Sequence, residues 1–311
     1  MVASKFLNPR NDLAFKRIFG SERNKDILIH FLNDILDREF PIKKVTFLKT
    51  VQDPEIAPLR VSVVDVMCED QDHNRFIIEM QLSHEKGFDR RALYYAARAY
   101  CSQRTEKKRF HDLKDVYFLA ITDFTPFPNK KTWLSKIGLK DLETNEHDID
   151  AIQLLFMQLP LFKKTKKDLK KMALREKWAY FFKYADETTE EDLKTLTGKD
   201  QIIKRAYEEL DRFSWSEKEL NNYESIEMKK AADEAVKEAA FAKGIAKGIE
   251  QGIEKGIEQG IAKGIGQGKR EIALKMLRRK RPLKEIEEDT GLSLKEIESL
   301  HLTCKSHSEV T

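Results

Sequence analysis

Two apolar runs rich in β-branched residues lie close together in residues 60–82, RVSVVDVMCEDQDHNRFIIEMQL. The polar cluster between them is too short to hold a helix, so the stretch predicts a β-hairpin. With a turn centred near Asp72, Asp65 lies opposite Glu79. Because strand side chains alternate between the two faces, Gln81 shares the face of both carboxylates. The sequence therefore predicts two acids within one strand spacing of each other.

Two carboxylates on an apolar hairpin are unfavourable, because each loses hydration and their charges repel unless a proton or a cation lies between them. A divalent metal between Asp65 and Glu79 would remove this cost. The alternative is an ordinary hairpin whose carboxylates are solvated. The hairpin alone leaves both interpretations open.

The composition fits a globular protein with no membrane segment. The 311 residues suffice for one large domain with appendages or for two modest domains, and a hydrophobic content of 41% favours a folded chain. The net charge is only +4, so a nucleic-acid surface would have to come from local clusters. Three widely spaced cysteines without a metal-ligand pattern, and the lack of an apolar run of membrane-spanning length, predict a cytoplasmic protein.

Hydrophobic periodicity predicts the order of the first elements. A helix begins at Asn11 or Asp12 and stops at Gly20, and a second helix follows it. Further elements are expected as a strand in residues 45–51, the hairpin, a helix over residues 88–110, and strands over residues 116–122 and 152–159. The helix of residues 88–110 is expected to bury an apolar stripe that consists of Leu93, Tyr94, Ala97 and Cys101. Residues 163–223 have a helical pattern, in which Trp178, Phe181 and Phe182 are expected core contacts.

Four segments follow one another in this order: NDLAFKRIF at residues 11–19, VVDV at 63–66, IIEMQ at 77–81 and DRRALYYAARAYCSQ at 89–103. Together they resemble the PD-(D/E)XK nuclease superfamily, and within it the Rpn-type recombination-promoting nucleases, also described as transposase-like. The likeness covers roughly residues 5–225. It implies an α/β fold with a core of order α, β, β, β, α, β, in which a mixed sheet is flanked by helices.

The resemblance implies a divalent-metal-dependent DNA endonuclease that acts in recombination or mobile-element biology. Asp65, Glu79 and the backbone carbonyl of Met80 would hold Mg²⁺ or Mn²⁺, which activates a water for phosphodiester hydrolysis. Two positions depart from the superfamily pattern. Val64 replaces the Pro before the first acid, and Gln81 replaces the Lys two residues after the second, as is common in the Rpn-type branch. Gln can orient a water but supplies no positive charge.

The first helix contributes two supporting candidates. Asp12 stands where the family often has an acid that faces the site, although an Asp at this position is also a good helix N-cap, and we favour the cap. Lys16, one turn later, could replace the missing positive charge. Arg90 and Arg91 are the other candidates for that charge.

The helix of residues 88–110 carries the predicted DNA contacts of the core. Arg91, Tyr95 and Arg98, at positions i, i+4 and i+7, lie on one helix face and would contact the DNA backbone together with Arg90. The alternative is a solvated helix face that contains one aromatic residue.

Residues 244–268, GIAKGIEQGIEKGIEQGIAKGIGQG, have Gly at every fourth position, with Ile after each of the first six of these glycines. Four residues of an α-helix turn 400°, so each repeat advances the stripe by about 40°. This period favours right-handed supercoiling and close approach of two backbones. Seven glycines oppose the helix by roughly 7 kcal/mol, which packing against another copy would offset. The pattern predicts a helix that forms homo-oligomers, and a flexible linker is the alternative.

The remaining residues resemble a helix-turn-helix. The expected first helix runs to Arg279, a break follows at Pro282, and the second helix ends at Thr290 before Gly291. The third helix starts at Ser293. A basic run that would contact DNA phosphates consists of Arg278, Arg279, Lys280 and Arg281. The third helix itself is not basic, so a three-helix module that binds protein is the alternative.

These patterns together predict four parts of the chain. They are a nuclease-like core in residues 1–162, a helical extension in 163–227, a helical repeat in 228–268 and a helix-turn-helix-like tail in 269–311. Two functions compete with the endonuclease. One is a DNA-binding or assembly protein that keeps the fold without turnover, and the other is a transposase that joins DNA strands.

Overall fold

The computed structural model describes residues 4–52, 62–104 and 109–306. The start of the predicted hairpin, residues 60–61, and part of the predicted helix, residues 105–108, lie outside the described residues. By its internal contacts the chain divides into two units, residues 1–229 and 230–311. Among the described residues, no helix combines the length with the apolar content that a membrane-crossing segment needs.

The first unit begins with two packed helices, α1 (Asp12–Phe19) and α2 (Lys25–Leu36). The side chain of Asn11 accepts the Leu13 N–H and caps α1, whose other end is closed by Gly20. The expectation that Asp12 is the cap is therefore wrong. Asn and Asp cap about equally well, and here Asn11 stands one position earlier, at the start of the first turn.

A mixed sheet follows these helices. The strands and the helix inserted among them are β1 (Val45–Phe47), β2 (Val51–Gln52), β3 (Ser62–Val63), β4 (Val66–Asp70), β5 (Arg75–Gln81), α3 (Phe88–Cys101), β6 (Val116–Thr122), β7 (Leu134–Ile137) and β8 (Ile152–Gln158). Within the described residues six strands form one sheet in the order β1-β4-β5-β6-β8-β7, and β2 pairs with β3 in a small second sheet. Strands β5, β6 and β8 run parallel, and the other neighbours in the large sheet are antiparallel. The predicted α/β fold, a mixed sheet flanked by helices, is confirmed.

The hairpin has the predicted register, although its first strand is interrupted. Val66 pairs with Ile78 and Met67 with Ile77, and continuing this register places Asp65 opposite Glu79. The Asp70 carboxylate fixes the turn by accepting two backbone N–H groups that follow it, at 2.9 Å each. The expected single strand is divided into β3 and β4, because the residues of β3 pair with β2 instead of β5.

Helix α3 packs on one face of the sheet through small residues. Its buried residues are Phe88, Ala92, Ala96 and Ala99. The predicted apolar stripe is wrong, since Leu93 and Tyr94 are 50% and 51% exposed. Alanine lets the helix lie close to the sheet, and this turns the larger apolar side chains outward.

The predicted end of this helix is also wrong, because α3 stops at Cys101. The Gln103 side chain donates to the Lys114 carbonyl at 2.8 Å and accepts the Lys114 N–H at 3.0 Å. This pair of hydrogen bonds joins the residues just after α3 to the residues just before β6.

The opposite face of the sheet is covered by α1, α2 and further helices. These are α4 (Leu174–Tyr184), α5 (Glu190–Thr197), α6 (Gln201–Glu209) and the start of α7 (Glu217–Arg278). Trp178, Phe181 and Phe182 are fully buried, as predicted. The ring of Phe182 packs 5.5 Å from that of Phe19 and 5.4 Å from that of Phe31, so the helical extension shares one core with α1 and α2.

The second unit contains the rest of α7, followed by α8 (Leu283–Thr290) and α9 (Leu294–Ser306). The Gly-Ile repeat is helical, as predicted, and its isoleucines at 245, 249, 253, 257, 261 and 265 are between 48% and 59% exposed. The tail has the expected three helices around a small apolar core. Gly291 ends α8 with a φ of 64°, a left-handed conformation that favours glycine.

Candidate active site

Asp65 and Glu79 meet at the end of the hairpin. Asp65 lies one residue before β4, and Glu79 lies near the C-terminal end of β5. The backbone N–H of Asp65 donates to Glu79 Oε2 at 3.3 Å, and the N–H of Met80 donates to Asp65 Oδ2 at 2.8 Å. The structure thus brings together the two carboxylates that the hairpin pattern places opposite each other.

The backbone carbonyl of Met80 belongs to the same corner of the sheet. The Gln81 carbonyl accepts the Asp123 N–H at 3.1 Å, so the backbone groups of Gln81 point towards the β6 side. Successive residues of a strand direct their N–H and C=O groups to alternate sides. The groups of Met80 therefore point the other way, towards the Asp65 side, where β4 has not yet begun.

Both carboxyl groups are held in an environment that disfavours their charge. Glu79 is only 8% exposed, and burial followed by the charge of Asp65 raises the pKa of Glu79 to about 7. Burial also raises the pKa of Asp65, although the Met80 N–H and Lys16 act against this shift. Burial therefore outweighs the positive charges near the pair, and both carboxyl groups hold their protons more tightly than they would in water.

Lys16 approaches the pair from α1. Its Nζ lies 2.8 Å from Asp12 Oδ1 and 3.9 Å from Asp65 Oδ1. Burial acts to lower the pKa of Lys16, but the Asp12 hydrogen bond and the charges of Asp12, Asp65 and Glu79 raise it overall. Lys16 is therefore a stable cation, and Asp12 contacts the site through it.

Arg91 approaches from α3, on the other side of Glu79. Its Nη2 lies 3.6 Å from Glu79 Oε1 and donates to Gln81 Oε1 at 2.7 Å. The guanidinium also forms an ion pair with Glu85, and the amide of Gln81 donates to the Ser83 carbonyl at 3.0 Å. Gln81, which replaces the superfamily lysine, thus accepts a hydrogen bond from Arg91.

Glu85 is the site residue that sequence reasoning missed. It lies in the connection between β5 and α3, which ends at Gly87 with a φ of 83°. No hydrophobic period or motif includes such a loop residue, so the sequence offers no signal for its contact with Arg91.

The predicted DNA contacts on α3 divide into two groups. The ring of Tyr95 lies 5.9 Å from the Arg91 guanidinium carbon, so these two residues share one surface beside the carboxylates. Arg98 is half-buried farther along the helix, and Arg90 is exposed. Within the described ranges no ion pair joins Arg90 to either carboxylate, so it does not supply the missing charge in this arrangement.

The basic run of the tail belongs to the second unit. Its residues, Arg278, Arg279, Lys280 and Arg281, are all exposed. Arg281 forms an ion pair with Glu285 at 3.4 Å, one turn along in α8.

The donor set at the corner fits a hard divalent cation. Two carboxylates and a backbone carbonyl are oxygen ligands of the kind that Mg²⁺ and Mn²⁺ prefer, and these ions usually keep several waters. In the part of the chain that the structure describes, there is no group of three or more His, Cys, Asp or Glu side chains placed to hold a metal. A metal here would take its other ligands from Met80 and from water.

A family model described as PD-(D/E)XK nuclease family transposase matches residues 9–240. Comparisons with curated proteins and with solved structures give no match. The matched range covers most of the chain and includes α1, the hairpin and α3, which carry the residues of the site. The resemblance inferred from the sequence is confirmed, and the chain belongs to the PD-(D/E)XK nuclease family transposases.

Proposed function

We propose that the protein is a divalent-metal-dependent DNA endonuclease that hydrolyses phosphodiester bonds in recombination or mobile-element biology. The observation that carries this proposal is the close pair of Asp65 and Glu79 in a buried corner of the sheet. The Glu79 carboxylate is buried and accepts the Asp65 backbone N–H at 3.3 Å, so two acids stand side by side with little hydration, which is costly. The Met80 carbonyl beside them adds a further oxygen donor without adding charge. A bound cation would offset this cost.

Asp65, Glu79 and Met80 would hold Mg²⁺ or Mn²⁺. Bound there, the ion would lower the pKa of a coordinated water and neutralise charge on the phosphate. The carboxylates supply the negative field that attracts the ion. Before it binds, they are held in position by backbone donors, since Glu79 accepts the Asp65 N–H and Asp65 accepts the Met80 N–H.

Arg91 would provide the positive charge that a lysine provides elsewhere in the superfamily. The Gln81 side chain is held at both ends, since its amide donates to Ser83 and its oxygen accepts from Arg91. In this arrangement Gln81 positions Arg91 beside Glu79. Charge of this kind, placed where the phosphate becomes more negative, is a large term in catalysis. Lys16 would add a second cation on the Asp65 side.

Exposed arginines support DNA as the substrate. Arg90 on α3 and the run of residues 278–281 in the tail offer guanidinium and ammonium groups to phosphates. Contacts of this type position a duplex without reading its sequence, so we expect only a modest sequence preference.

We also propose that the protein forms homo-oligomers through residues 244–268. The isoleucines of this stretch are half exposed, and a Cβ added at each of its glycines meets nothing within 4 Å in the single chain. The i, i+4 rows of two such helices can interdigitate at a crossing angle near −50°, and glycine allows their backbones to come close.

Nicking of supercoiled plasmid DNA tests the endonuclease proposal. We expect Mg²⁺-dependent nicking by the natural protein, loss of nicking on addition of a chelator, and no nicking by Asp65→Ala or Glu79→Ala. Asp72→Asn, an exposed acid in the turn of the same hairpin, is the matched control and should nick at the natural rate.

Two results would contradict the proposal. One is undiminished nicking by either alanine variant. The other is tight DNA binding without nicking in any divalent metal, which would select the non-catalytic DNA-binding protein. Adding a donor oligonucleotide with a free 3′-hydroxyl separates hydrolysis from strand transfer, because a transposase would join the donor to the plasmid.

A further inference from the structure

The exposed side of α3 presents aromatic rings between arginines. Arg90, Tyr94 and Arg98 follow one another at i, i+4 and i+8, and Tyr95 lies beside this row with Arg91 one turn before it. We propose that Tyr94 and Tyr95 form a stacking surface for unpaired bases of a DNA strand that leads to the Asp65–Glu79 corner. This inference rests on the proposed function and specifies its substrate as DNA with a single-stranded segment.

The surface is continuous with the candidate active site. Arg91 Nη2 lies 3.6 Å from Glu79 Oε1, and the guanidinium carbon of Arg91 lies 5.9 Å from the ring centre of Tyr95. The ring centres of Tyr95 and Tyr94 are 6.0 Å apart, with the rings tilted by 55°. Side-chain contacts therefore connect Glu79 to Tyr94 without a gap. A single DNA strand that lies along α3 can contact both the tyrosines and the acidic corner.

The exposure of the rings suits bases better than a role in folding. Tyr94 is 51% exposed, whereas the buried side of α3 is occupied by Phe88 and three alanines. Tyr95 is half-buried and supports its neighbour. An aromatic ring that stands at the surface between arginines matches single-stranded DNA, in which phosphates alternate with flat, apolar bases.

The geometry distinguishes unpaired from paired DNA. In a duplex each base already stacks on its neighbours and shows only its edges in the grooves. A tyrosine can stack on a base only where the strand is single or has been separated from its partner. The row at positions 90, 94 and 98 carries two arginines and no acidic residue, so its charge attracts the phosphates of a DNA strand.

Binding measured without a divalent metal tests this inference separately from cleavage. The natural protein is titrated in a chelator with a blunt duplex, with a single strand, and with a duplex that carries an unpaired tail. The tail contains 2-aminopurine, whose fluorescence is quenched when it stacks on an aromatic ring. We expect tighter binding of the two substrates with unpaired bases and quenching of the probe on binding.

Tyr94→Ala should weaken binding of the tailed duplex by about 5- to 150-fold, which corresponds to the 1–3 kcal/mol of one base–aromatic stack. Tyr94→Phe keeps the ring and should bind within about twofold of the natural protein, because stacking does not need the hydroxyl. Phe40→Ala, which removes an aromatic ring that is 69% exposed outside α3, is the matched control and should bind normally. None of these variants should alter binding of the blunt duplex.

Equal affinity for blunt and tailed duplexes would overturn the inference. The inference would also be overturned if Tyr94→Ala bound the tailed duplex and quenched the probe as the natural protein does. This holds even if the variant changed the self-association of the protein. If the natural protein prefers tailed DNA but does not nick plasmid DNA, the endonuclease proposal is rejected and the stacking surface is retained. Nicking by the natural protein without such a preference would reject only the stacking surface.

Discussion

The backbone N–H of Asp65 donates a hydrogen bond to the carboxylate of Glu79 at 3.3 Å. The two acids are 14 positions apart in the chain, at the two sides of the hairpin. Their contact arises because β4 starts only at Val66, which leaves the end of β5 without a strand partner on that side. The break in the strand therefore creates both the acidic pair and the open corner that would receive a cation.

The metal-free protein should lose stability as the pH rises. The pKa of Glu79 is raised from an ordinary value of 4.5 to about 7, so the folded state holds this proton more tightly than the unfolded state does. The resulting stability is fully present below about pH 4.5 and is lost as the pH passes through about 7. At about 1.4 kcal/mol per pKa unit, the loss is about 3 kcal/mol.

Urea unfolding at about pH 5 and about pH 8 measures this loss in the free energy of unfolding. Glu79→Gln should reduce the pH dependence, whereas Asp72→Asn should leave it unchanged. The raised pKa values of Asp65 and His30 have the same sign and should leave a residual slope in Glu79→Gln. An equal slope in the natural protein and Glu79→Gln would show that Glu79 is not the titrating group.

Arg91→Ala should slow cleavage by about 10²- to 10³-fold, the usual effect of removing one group that stabilises charge in the transition state. Arg91→Lys keeps the charge but cannot contact Glu79, Gln81 and Glu85 together, and should also be slow. Single-turnover cleavage rates measure both effects. The decisive variant combines Gln81→Lys with Arg91→Ala and so places the positive charge where the superfamily has its lysine. It should cleave faster than Arg91→Ala alone. Absence of any regain would count against Arg91 as the replacement.

Asn11 should couple the start of α1 to helix α7. It is buried, its oxygen accepts the Leu13 N–H at 3.0 Å, and its amide donates to Glu227 Oε1 at 2.7 Å. Asn11→Asp retains the cap but places a carboxylate against Glu227, and should cost about 1–3 kcal/mol of unfolding free energy.

Adding Glu227→Gln should restore most of that stability, because the glutamine amide can donate to the new carboxylate. Thermal or urea unfolding of the two single variants and the double variant gives the coupling energy. Additive effects in this cycle would show that the two side chains do not interact.

Replacing Gly252, Gly256 and Gly260 with Ala should raise helicity and abolish self-association. Alanine favours a helix by about 1 kcal/mol per position over glycine, and each new Cβ meets nothing within 4 Å in the single chain. If two helices approach through these glycines, the added methyl groups keep them apart. Circular dichroism and sedimentation equilibrium measure the two quantities.

Glu254→Ala is the control for these glycine variants, because it lies on the opposite side of the helix from the glycines. It should leave the oligomer intact. If the triple alanine variant forms the same oligomer as the natural protein, the glycines do not form the interface.

Local patterns were sufficient to predict the acidic corner. The alternation of apolar residues and the short turn determine the register of β4 and β5, and this places Asp65 opposite Glu79. The position of Arg91 could not be predicted in the same way. It depends on the loop before α3 and on Gln81 and Glu85, which contact it only after the helix has packed on the sheet.

The face of α3 shows why periodicity alone can mislead. Leu93 and Tyr94 are the larger apolar residues and were expected inside, yet the helix buries Ala92 and Ala96. Close packing on the sheet favours small residues, and this preference depends on the distance between the helix and the sheet.

Isothermal titration calorimetry with Mn²⁺ tests the central claim most directly, since it measures metal binding at Asp65 and Glu79 without a DNA substrate. At about pH 8, above the raised pKa of Glu79, the natural protein should show saturable binding of the ion. Asp65→Ala should lose this binding, and Asp72→Asn should retain it. Binding that is unchanged in Asp65→Ala, or absent in the natural protein, would contradict a metal site at this corner of the sheet.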